Sequence, residues 1–206
     1  MKYNILITGR PGSGKSTLSR YLLEGFHLPW TGYQTMKIDS CPAGPIYALK
    51  AFPSGEQKPI SCYKDGMIQA VPDTFDTLGA DCLHGALESP EPIILMDEIG
   101  RFEKNSTSFL SAIHAVLNSE KTVIAVVKKE SLPHLDQLRS TEGAILIDLD
   151  ECSPEKARQK LAALLWPEKA LHWGLTLRLY GVDKSFGPGS MRLLECYHGF
   201  LQKVYR

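Results

Sequence analysis

The sequence lacks any long hydrophobic run. No window of its 206 residues approaches the roughly 18 to 20 consecutive apolar residues that a membrane-spanning helix needs. It also lacks a cleavable apolar leader ahead of the first polar-flanked segment. Both absences argue against a membrane or secreted protein. We therefore expect a soluble, cytoplasmic protein with no membrane partner.

Neither sign of charge is in excess, since 23 Lys and Arg residues are balanced by 23 Asp and Glu residues. A neutral balance argues against a large surface for nucleic acid. The five cysteines contain no CxxC pair, and their odd number indicates reduced thiols rather than a disulfide framework. The hydrophobic fraction of 43% is sufficient for a well-packed core.

Strand-like and helical segments alternate along the chain, which predicts an α/β sheet covered by helices on both faces. Strands are predicted at 3–8, 92–96, 122–127 and 144–149, and the apolar runs at 92–96 and 122–127 are typical of strands buried on both faces. Helices are predicted at 16–25, 73–88, 109–117, 132–139 and 154–165, the last from its Ser-Pro start signal at 153–154. Between residues 30 and 63, short β-prone segments at 31–38, 46–52 and 58–63, separated by Pro/Gly turns, predict an inserted antiparallel meander instead. We place one α/β domain at 1–166 and a strand–helix appendage at 167–206.

The segment from Gly9 to Ser16 matches the phosphate-binding pattern G-x-x-x-x-G-K-[ST] at every position, between a predicted strand and a predicted helix. Its glycines allow successive backbone N–H groups to curl around phosphates, and the helix N-terminus adds its dipole. Lys15 is predicted to lie between the β- and γ-phosphates, and the Ser16 hydroxyl to bind Mg²⁺. The alternative is an ordinary glycine-rich turn. The predicted nucleotide-binding residues are Gly9, Arg10, Pro11, Gly12, Ser13, Gly14, Lys15, Ser16 and Thr17.

Two acids, Asp97 and Glu98, directly follow an apolar strand, at the end where an open α/β sheet binds its ligand. Asp97 is predicted to hold Mg²⁺ together with Ser16. Glu98 is predicted to polarise an attacking water as general base. A glutamate beside the γ-phosphate favours hydrolysis over transfer to another acceptor. The alternative is a pair of solvated acids at the end of a strand.

The chain resembles a family of small archaeal and bacterial P-loop nucleoside-triphosphatases related to the human cancer-related nucleoside-triphosphatase. Besides the phosphate loop, the resemblance is carried by Thr-Gly-Tyr-Gln-Thr at 31–35, Val-Pro-Asp-Thr-Phe at 71–75 and Asp-Glu-Ile-Gly-Arg-Phe-Glu at 97–103. It implies a RecA-like three-layer sandwich, Mg²⁺-dependent hydrolysis of ATP and GTP with loose base preference, and Glu98 as the catalytic base. After its last core strand the family often has Asn-Arg-Asp near the nucleobase of the bound nucleotide. This chain has Asp-Leu-Asp there, at 148–150.

Basic residues near these motifs are candidates for offsetting charge in the transition state. The family tends to carry a basic segment after its fourth core strand, where this chain has Lys128 and Lys129. We predict that Lys15 and one of Lys128, Lys129 and Arg101 offset the negative charge of the transition state. A solvated surface position is the alternative for all three. The predicted catalytic residues are Lys15, Glu98, Arg101 and Lys128.

Two other classes of function stay open. A small-molecule or nucleotide kinase needs an acid for the acceptor hydroxyl and an arginine-rich lid. The sequence contains no such arginine cluster, although the meander offers a roof for an acceptor pocket. A non-enzymatic switch would use bound nucleoside triphosphate to order loops that contact a partner.

The C-terminal segment carries a second, shorter resemblance. Phe-Gly-Pro-Gly at 186–189, followed by Leu-Leu-Glu at 193–195, resembles the opening of the winged-helix domain of molybdate-responsive regulators over roughly 30 residues, without a recognition helix after it. We expect the segment to cover a sheet edge as a strand and a helix. The alternative is a docking element for an unknown protein partner.

Overall fold

The computed structural model describes residues 2–25 and 29–165. The predicted appendage at 167–206 lies outside these residues and stays a prediction. The strands are β1 (Asn4–Thr8), β2 (Trp30–Cys41), β3 (Gly44–Phe52), β4 (Gln57–Pro59), β5 (Ser61–Lys64), β6 (Met67–Ala70), β7 (Ile93–Ile99), β8 (Thr122–Val127) and β9 (Ile145–Asp148). The helices are α1 (Lys15–Gly25), α2 (Pro72–Thr74), α3 (Ala80–Glu88), α4 (Thr107–Asn118), α5 (Pro133–Arg139) and α6 (Pro154–Leu165). A π-helical turn spans Phe75–Gly79 and a 3-10 turn spans Phe102–Asn105.

Seven of the described strands form one sheet in the order β4-β3-β2-β7-β8-β1-β9. Neighbours from β2 to β9 run parallel, whereas β3 and β4 add antiparallel strands at one edge. The strands β5 and β6 form a separate hairpin. Parallel neighbours need crossover connections, which the helices between them supply. The predicted α/β fold with a mostly parallel sheet is confirmed.

Both faces of the central strands β7, β8 and β1 are buried, which makes the fold three-layered. Side chains alternate between the two faces along each strand. On one face, Leu6, Ile94 and Ala125 belong to a core that also contains Phe109 of α4. On the other face, the alternate strand residues are equally inaccessible, and α1 contacts β7 and β8. The buried residues of this second set are Ile5, Ile7, Leu95, Ile124 and Val126.

The predicted meander is present, but two of its details need correction. The first half of β2 is a parallel member of the main sheet, because Trp30 to Gln34 pair with Ile93 to Asp97. Only its pairing with β3 is antiparallel. The strand predicted at 58–63 is divided at Ile60, which is buried in the core between β4 and β5. Pro59 has no N–H to extend the β4 ladder, so the chain leaves the sheet there.

The helix predicted at 73–88 contains the π-helical turn at Phe75–Gly79, a local irregularity that periodicity does not reveal. Gly79 lies so close to Phe109 that a Cβ there would be 2.8 Å from the Phe109 ring. Helix α6 starts at the predicted Ser-Pro signal and belongs to a second compact unit, which begins at Glu155. None of the described helices has the length and apolar character required to cross a membrane.

Candidate functional site

The phosphate-loop motif connects the end of β1 to the start of α1. Gly12 and Gly14 have φ angles of 77° and 93°, in the left-handed region that favours glycine. A Cβ at either position would meet no atom within 4 Å. Backbone conformation, rather than lack of space, therefore selects glycine at both positions. This conformation places the loop and the first turn of α1 along one cavity.

The Lys15 side chain folds back over this loop. Its ammonium donates hydrogen bonds of 3.0 Å to the carbonyl oxygens of Gly9 and Arg10. Only 7% of Lys15 is exposed, and the residue lines the cavity. The predicted positive charge is therefore held inside the loop by the backbone, before any ligand arrives.

Ser16, Ser19 and Asp97 meet at the base of the loop. The Ser16 hydroxyl donates to Asp97 Oδ1 at 2.9 Å, and the Ser19 hydroxyl donates to Asp97 Oδ2 at 3.3 Å. Asp97 is 5% exposed. Burial raises the pKa of its carboxyl to about 6, although the hydrogen bond from Ser16 opposes this shift. The structure thus brings together the two predicted metal ligands, which come from α1 and β7.

These groups fit a magnesium ion. Mg²⁺ prefers hard oxygen ligands and is usually bound by one or two carboxylates. Here a serine hydroxyl and a carboxylate already converge, and within the described part of the chain the buried carboxylate has no cationic hydrogen-bond donor. A cation would stabilise the ionised form that burial disfavours. Ser16 and Asp97 are the residues that could hold it.

Glu98 lies at an irregularity in β7. Asp97 pairs with Val126 and Ile99 pairs with Val127, so Glu98 is an extra residue in the ladder. The peptide bond between Asp97 and Glu98 is cis. A bulge changes the direction in which a side chain points, and Glu98, near the carboxyl end of this central strand, lines the same cavity as Lys15. The Glu98 N–H donates to Thr35 Oγ1 at 3.2 Å, which fixes the bulge against β2.

Lys128, at the end of β8, forms an ion pair with Glu98. Its ammonium lies 3.1 Å from Glu98 Oε1 and 6.0 Å from the centre of the Tyr47 ring. Two bonds hold its backbone, because its N–H donates to the Ile99 carbonyl at 2.9 Å and its carbonyl accepts from Arg139. The predicted base and a predicted cation are thus direct partners.

Lys129 has different partners from Lys128. Its ammonium lies 2.7 Å from Asp148 Oδ2 and 3.1 Å from Asp150 Oδ2. The Asp150 carboxylate also accepts the backbone N–H of Arg10 at 3.1 and 3.2 Å. These contacts, from the Arg10 N–H first and Lys129 second, lower the pKa of Asp150. Asp150 therefore ties the phosphate loop to the segment after β8.

The cavity that unites these groups has a volume of about 550 Å³. Every residue predicted as catalytic lines it, including the exposed Arg101, and so do Asp97 and most of the phosphate loop. Arg10 and Ser13 belong to the loop but not to the cavity lining, and the Arg10 guanidinium faces Asp150 instead. A volume of this size is within the range of ligand pockets.

Sequence reasoning missed several residues of the site. Ser19 had a signal, because it follows Ser16 by one helical turn and therefore shares its face. Thr35 had a weaker one, since it lies in a segment that carried the family resemblance. Glu103 was part of the most distinctive motif, yet received no role. The contacts of Asp150 depend on strand order, which no local pattern reveals.

A family model described as NTPase matches residues 4–162, a range that includes every residue of the cavity. The nucleoside-triphosphatase THEP1 of Thermotoga petrophila is 28% identical over 174 residues, which cover 78% of this chain and 92% of that protein.

Two solved structures are similar in fold. THEP1 from Aquifex aeolicus gives a TM-score of 0.59 at 23% identity, covering 71% of this chain and 89% of that one. The human cancer-related nucleoside triphosphatase gives a TM-score of 0.61 at 17% identity, covering 80% of this chain and 98% of that one. At these identities the likeness supports the fold alone.

Proposed function

The chain belongs to the NTPase family, and from that premise we propose that it hydrolyses ATP and GTP to the diphosphate and phosphate with Mg²⁺. Family membership makes it a nucleoside-triphosphate phosphohydrolase. The finer proposal is carried by one observation, the 2.9 Å hydrogen bond between Ser16 Oγ and Asp97 Oδ1, with Glu98 beside it on the cavity.

The phosphate loop binds the triphosphate. Backbone N–H groups at the start of α1 favour anionic oxygens, because the helix dipole adds to their own partial charge. The Lys15 ammonium is already held near the loop by the carbonyls of Gly9 and Arg10. Little reorganisation is needed to place its charge against the phosphates, which is the arrangement that stabilises a transition state most effectively.

Ser16 and Asp97 would hold the magnesium ion, which would supply positive charge to offset that of the phosphate oxygens. Ser19 keeps the Asp97 carboxylate oriented from the opposite oxygen. The two serines therefore have separable roles: Ser16 is a metal ligand, and Ser19 orients the other ligand, Asp97.

Glu98 accepts a proton from the attacking water. Its backbone is fixed by the Thr35 hydroxyl, so the carboxylate is held in a rigid position near the carboxyl end of β7. In the resting state the carboxylate is paired with Lys128. An incoming γ-phosphate competes with Glu98 for the Lys128 ammonium. Once the ammonium pairs with the phosphate, Glu98 is free to orient water. The same movement brings a positive charge to the transferring phosphoryl group.

Phosphate release from ATP and GTP tests this proposal, with wild type and Glu98→Gln compared side by side at saturating Mg²⁺. Glutamine keeps the size of the side chain but accepts no proton, so turnover should fall about 10²- to 10⁴-fold with nucleotide binding retained. The exposed Glu120 offers a matched control, because Glu120→Gln removes a carboxylate far from the cavity lining.

Other outcomes distinguish the remaining functions. Release by Glu98→Gln at the wild-type rate would assign the base to another residue. Nucleotide binding without release by either protein would favour the switch. ADP formation that requires an added acceptor would favour the kinase.

A further inference from the structure

A second, much smaller cavity adjoins the site on the side away from the phosphate loop. Its volume is about 10 Å³, close to the smallest space that accommodates one water molecule. Its lining includes both Glu98 and Lys128, and it adds Glu103, which lies outside the larger cavity. Glu98, Lys128 and Glu103 therefore line one small space together.

Glu103 is a buried acid with few partners. It lies in the 3-10 turn and is 2% exposed. Its Oε2 accepts the Gly100 N–H at 3.0 Å. Burial raises the pKa of this carboxyl to about 7. Hydrogen bonds from the Glu103 and Gly100 N–H groups oppose the shift most, Lys128 opposes it less, and Glu98 adds to it. Near neutral pH the residue is consequently divided between its neutral and ionised forms.

Among the described residues, one cation and one other acid shift the pKa of Glu103. These are Lys128, which directly follows β8, and Glu98 of β7. The Tyr33 phenol of β2 is buried and has no hydrogen-bond partner within the described residues. Its pKa is raised by burial first and by Glu103 second, so it stays neutral. The elements packed against the turn add Asp73 and His114, and neither is among the groups that shift the pKa of Glu103.

Gly100 lies in contact with both Glu103 and Lys128. Its N–H binds the Glu103 carboxylate, and its carbonyl lies 2.8 Å from His134 Nε2. A Cβ on Gly100 would lie 3.0 Å from Lys128 Cδ, so the lysine stem passes directly over the glycine. The buried acid thus sits under the segment that positions the Lys128 ammonium.

We propose that Glu103 is a positioning residue that competes with Glu98 for Lys128 and, when ionised, frees Glu98 to orient the attacking water. The inference rests on the proposed function of Glu98. With Glu103 neutral, Lys128 has one carboxylate partner, Glu98. With Glu103 ionised, two carboxylates attract the same ammonium and the pairing with Glu98 weakens, because opposite charges interact strongly in a partly buried site. Hydrolysis then increases as Glu103 loses its proton.

The coupling is tested without nucleotide by NMR of the lysine side chains in the full-length protein, with the Lys128 signal assigned from Lys128→Arg. In the wild type the Lys128 signal should show a step near pH 7, where Glu103 titrates. Glu103→Gln should remove this step while keeping the acceptor for Gly100, and Glu103→Asp should keep a step. Glu120→Gln serves as the control. A wild-type signal without the step, or a step that persists in Glu103→Gln, would overturn the proposal.

Activity supplies the second test. The wild-type kcat for ATP should rise about tenfold across the titration of Glu103, as expected when one charged neighbour is added to a pair, and the kcat of Glu103→Gln should not rise there. KM should be similar in both proteins, since Glu103 does not line the phosphate cavity. Equal pH profiles would overturn the proposal. No hydrolysis by the wild type at any pH would refute the proposed function instead, and the NMR titration would still decide whether Glu103 acts on Lys128.

Discussion

The Lys128 ammonium lies 3.1 Å from the Glu98 carboxylate, and each side chain is 24% exposed. In the mechanism we propose, the two groups have opposite tasks in phosphoryl transfer, and their pairing neutralises both charges. A triphosphate carries more negative charge than one carboxylate, so it would compete effectively for the lysine in this partly desolvated place. On that proposal, Glu98 becomes free to act as the base when the γ-phosphate binds.

Replacing Lys128 by glutamine should lower kcat about 10²- to 10³-fold, which is the usual effect of removing one transition-state charge partner. The KM for ATP should change much less, because the phosphate loop and Lys15 remain. Steady-state phosphate release measures both constants. If Lys128 served only to restrain Glu98, the variant would instead be faster than the wild type.

Lys129→Gln is the matched control for Lys128→Gln. Lys129 lies next in the chain and lines the same cavity, but its ammonium is paired with Asp148 and Asp150. Its charge is already offset by two carboxylates. We expect a loss of activity clearly smaller than that of Lys128→Gln, and equal losses would mean that the two lysines act as one cationic surface.

Gly100→Ala should lower turnover by displacing Lys128 rather than by unfolding the protein. The new methyl would lie 3.0 Å from Lys128 Cδ, and a lysine stem can shift by the few tenths of an ångström required. We expect kcat to fall and the free energy of unfolding, measured in urea, to stay within about 1 kcal/mol of the wild type. A large loss of stability with normal kcat per folded molecule would contradict this.

The main features of the fold and of the phosphate loop were predictable from local sequence. Gly12 and Gly14 are required by backbone conformation, and Lys15 follows at a fixed spacing, so a pattern of eight residues determines the loop. The family resemblance is likewise confirmed by the NTPase match. Strand direction at β2 was not predictable, because hydrophobic alternation does not distinguish a parallel from an antiparallel neighbour.

The remainder of the site depends on irregularities that have no sequence signature. The bulge at Glu98 changes the direction of one side chain. The 3-10 turn contains Glu103 as a buried residue. Both features result from packing between elements distant in the chain, as does the contact of Asp150 with the Arg10 backbone. The motif at 97–103 showed that these residues belong together, but only the fold shows which of them touch.

Ser16→Ala should raise the Mg²⁺ concentration that gives half-maximal hydrolysis, because it removes an oxygen ligand. Ser19→Ala is the comparison, since Ser19 supports Asp97 through a longer hydrogen bond of 3.3 Å. Loss of a group that orients a metal ligand usually costs about 10- to 100-fold in metal affinity or activity, and we expect the smaller end for Ser19. A magnesium titration of phosphate release measures both, and identical titrations in wild type and Ser16→Ala would remove Ser16 from the metal site.

Asp150→Ala should weaken nucleotide binding without removing it. The substitution frees the Arg10 N–H and leaves Lys129 with Asp148 alone, so the phosphate loop loses its tie to the segment after β8. We expect KM for ATP to rise several-fold and kcat to change little. Fluorescent-nucleotide binding gives an independent reading. Unchanged affinity would show that the loop keeps its shape through its glycines and Lys15 alone.

Burial of Glu103 predicts how stability varies with pH. The pKa of this carboxyl is about 7 in the folded protein and 4.5 in the ordinary, exposed state. Between these values the unfolded chain releases a proton that the folded protein keeps, so the free energy of unfolding falls as pH rises. The stabilisation is complete below the unfolded pKa and is lost as pH rises through about 7, and for Glu103 it amounts to roughly 3 kcal/mol.

Glu103→Gln isolates this contribution, because Asp97, whose pKa is also raised by burial, remains in both proteins and cancels in the difference. Urea unfolding of the wild type should give a clearly lower free energy at about pH 8 than at about pH 5. The same comparison for Glu103→Gln should give a smaller decrease, since glutamine does not titrate and still accepts the Gly100 N–H. Parallel decreases in the two proteins would mean that Glu103 is ionised at ordinary pH despite its burial, and the pH step expected in hydrolysis would then have to arise elsewhere.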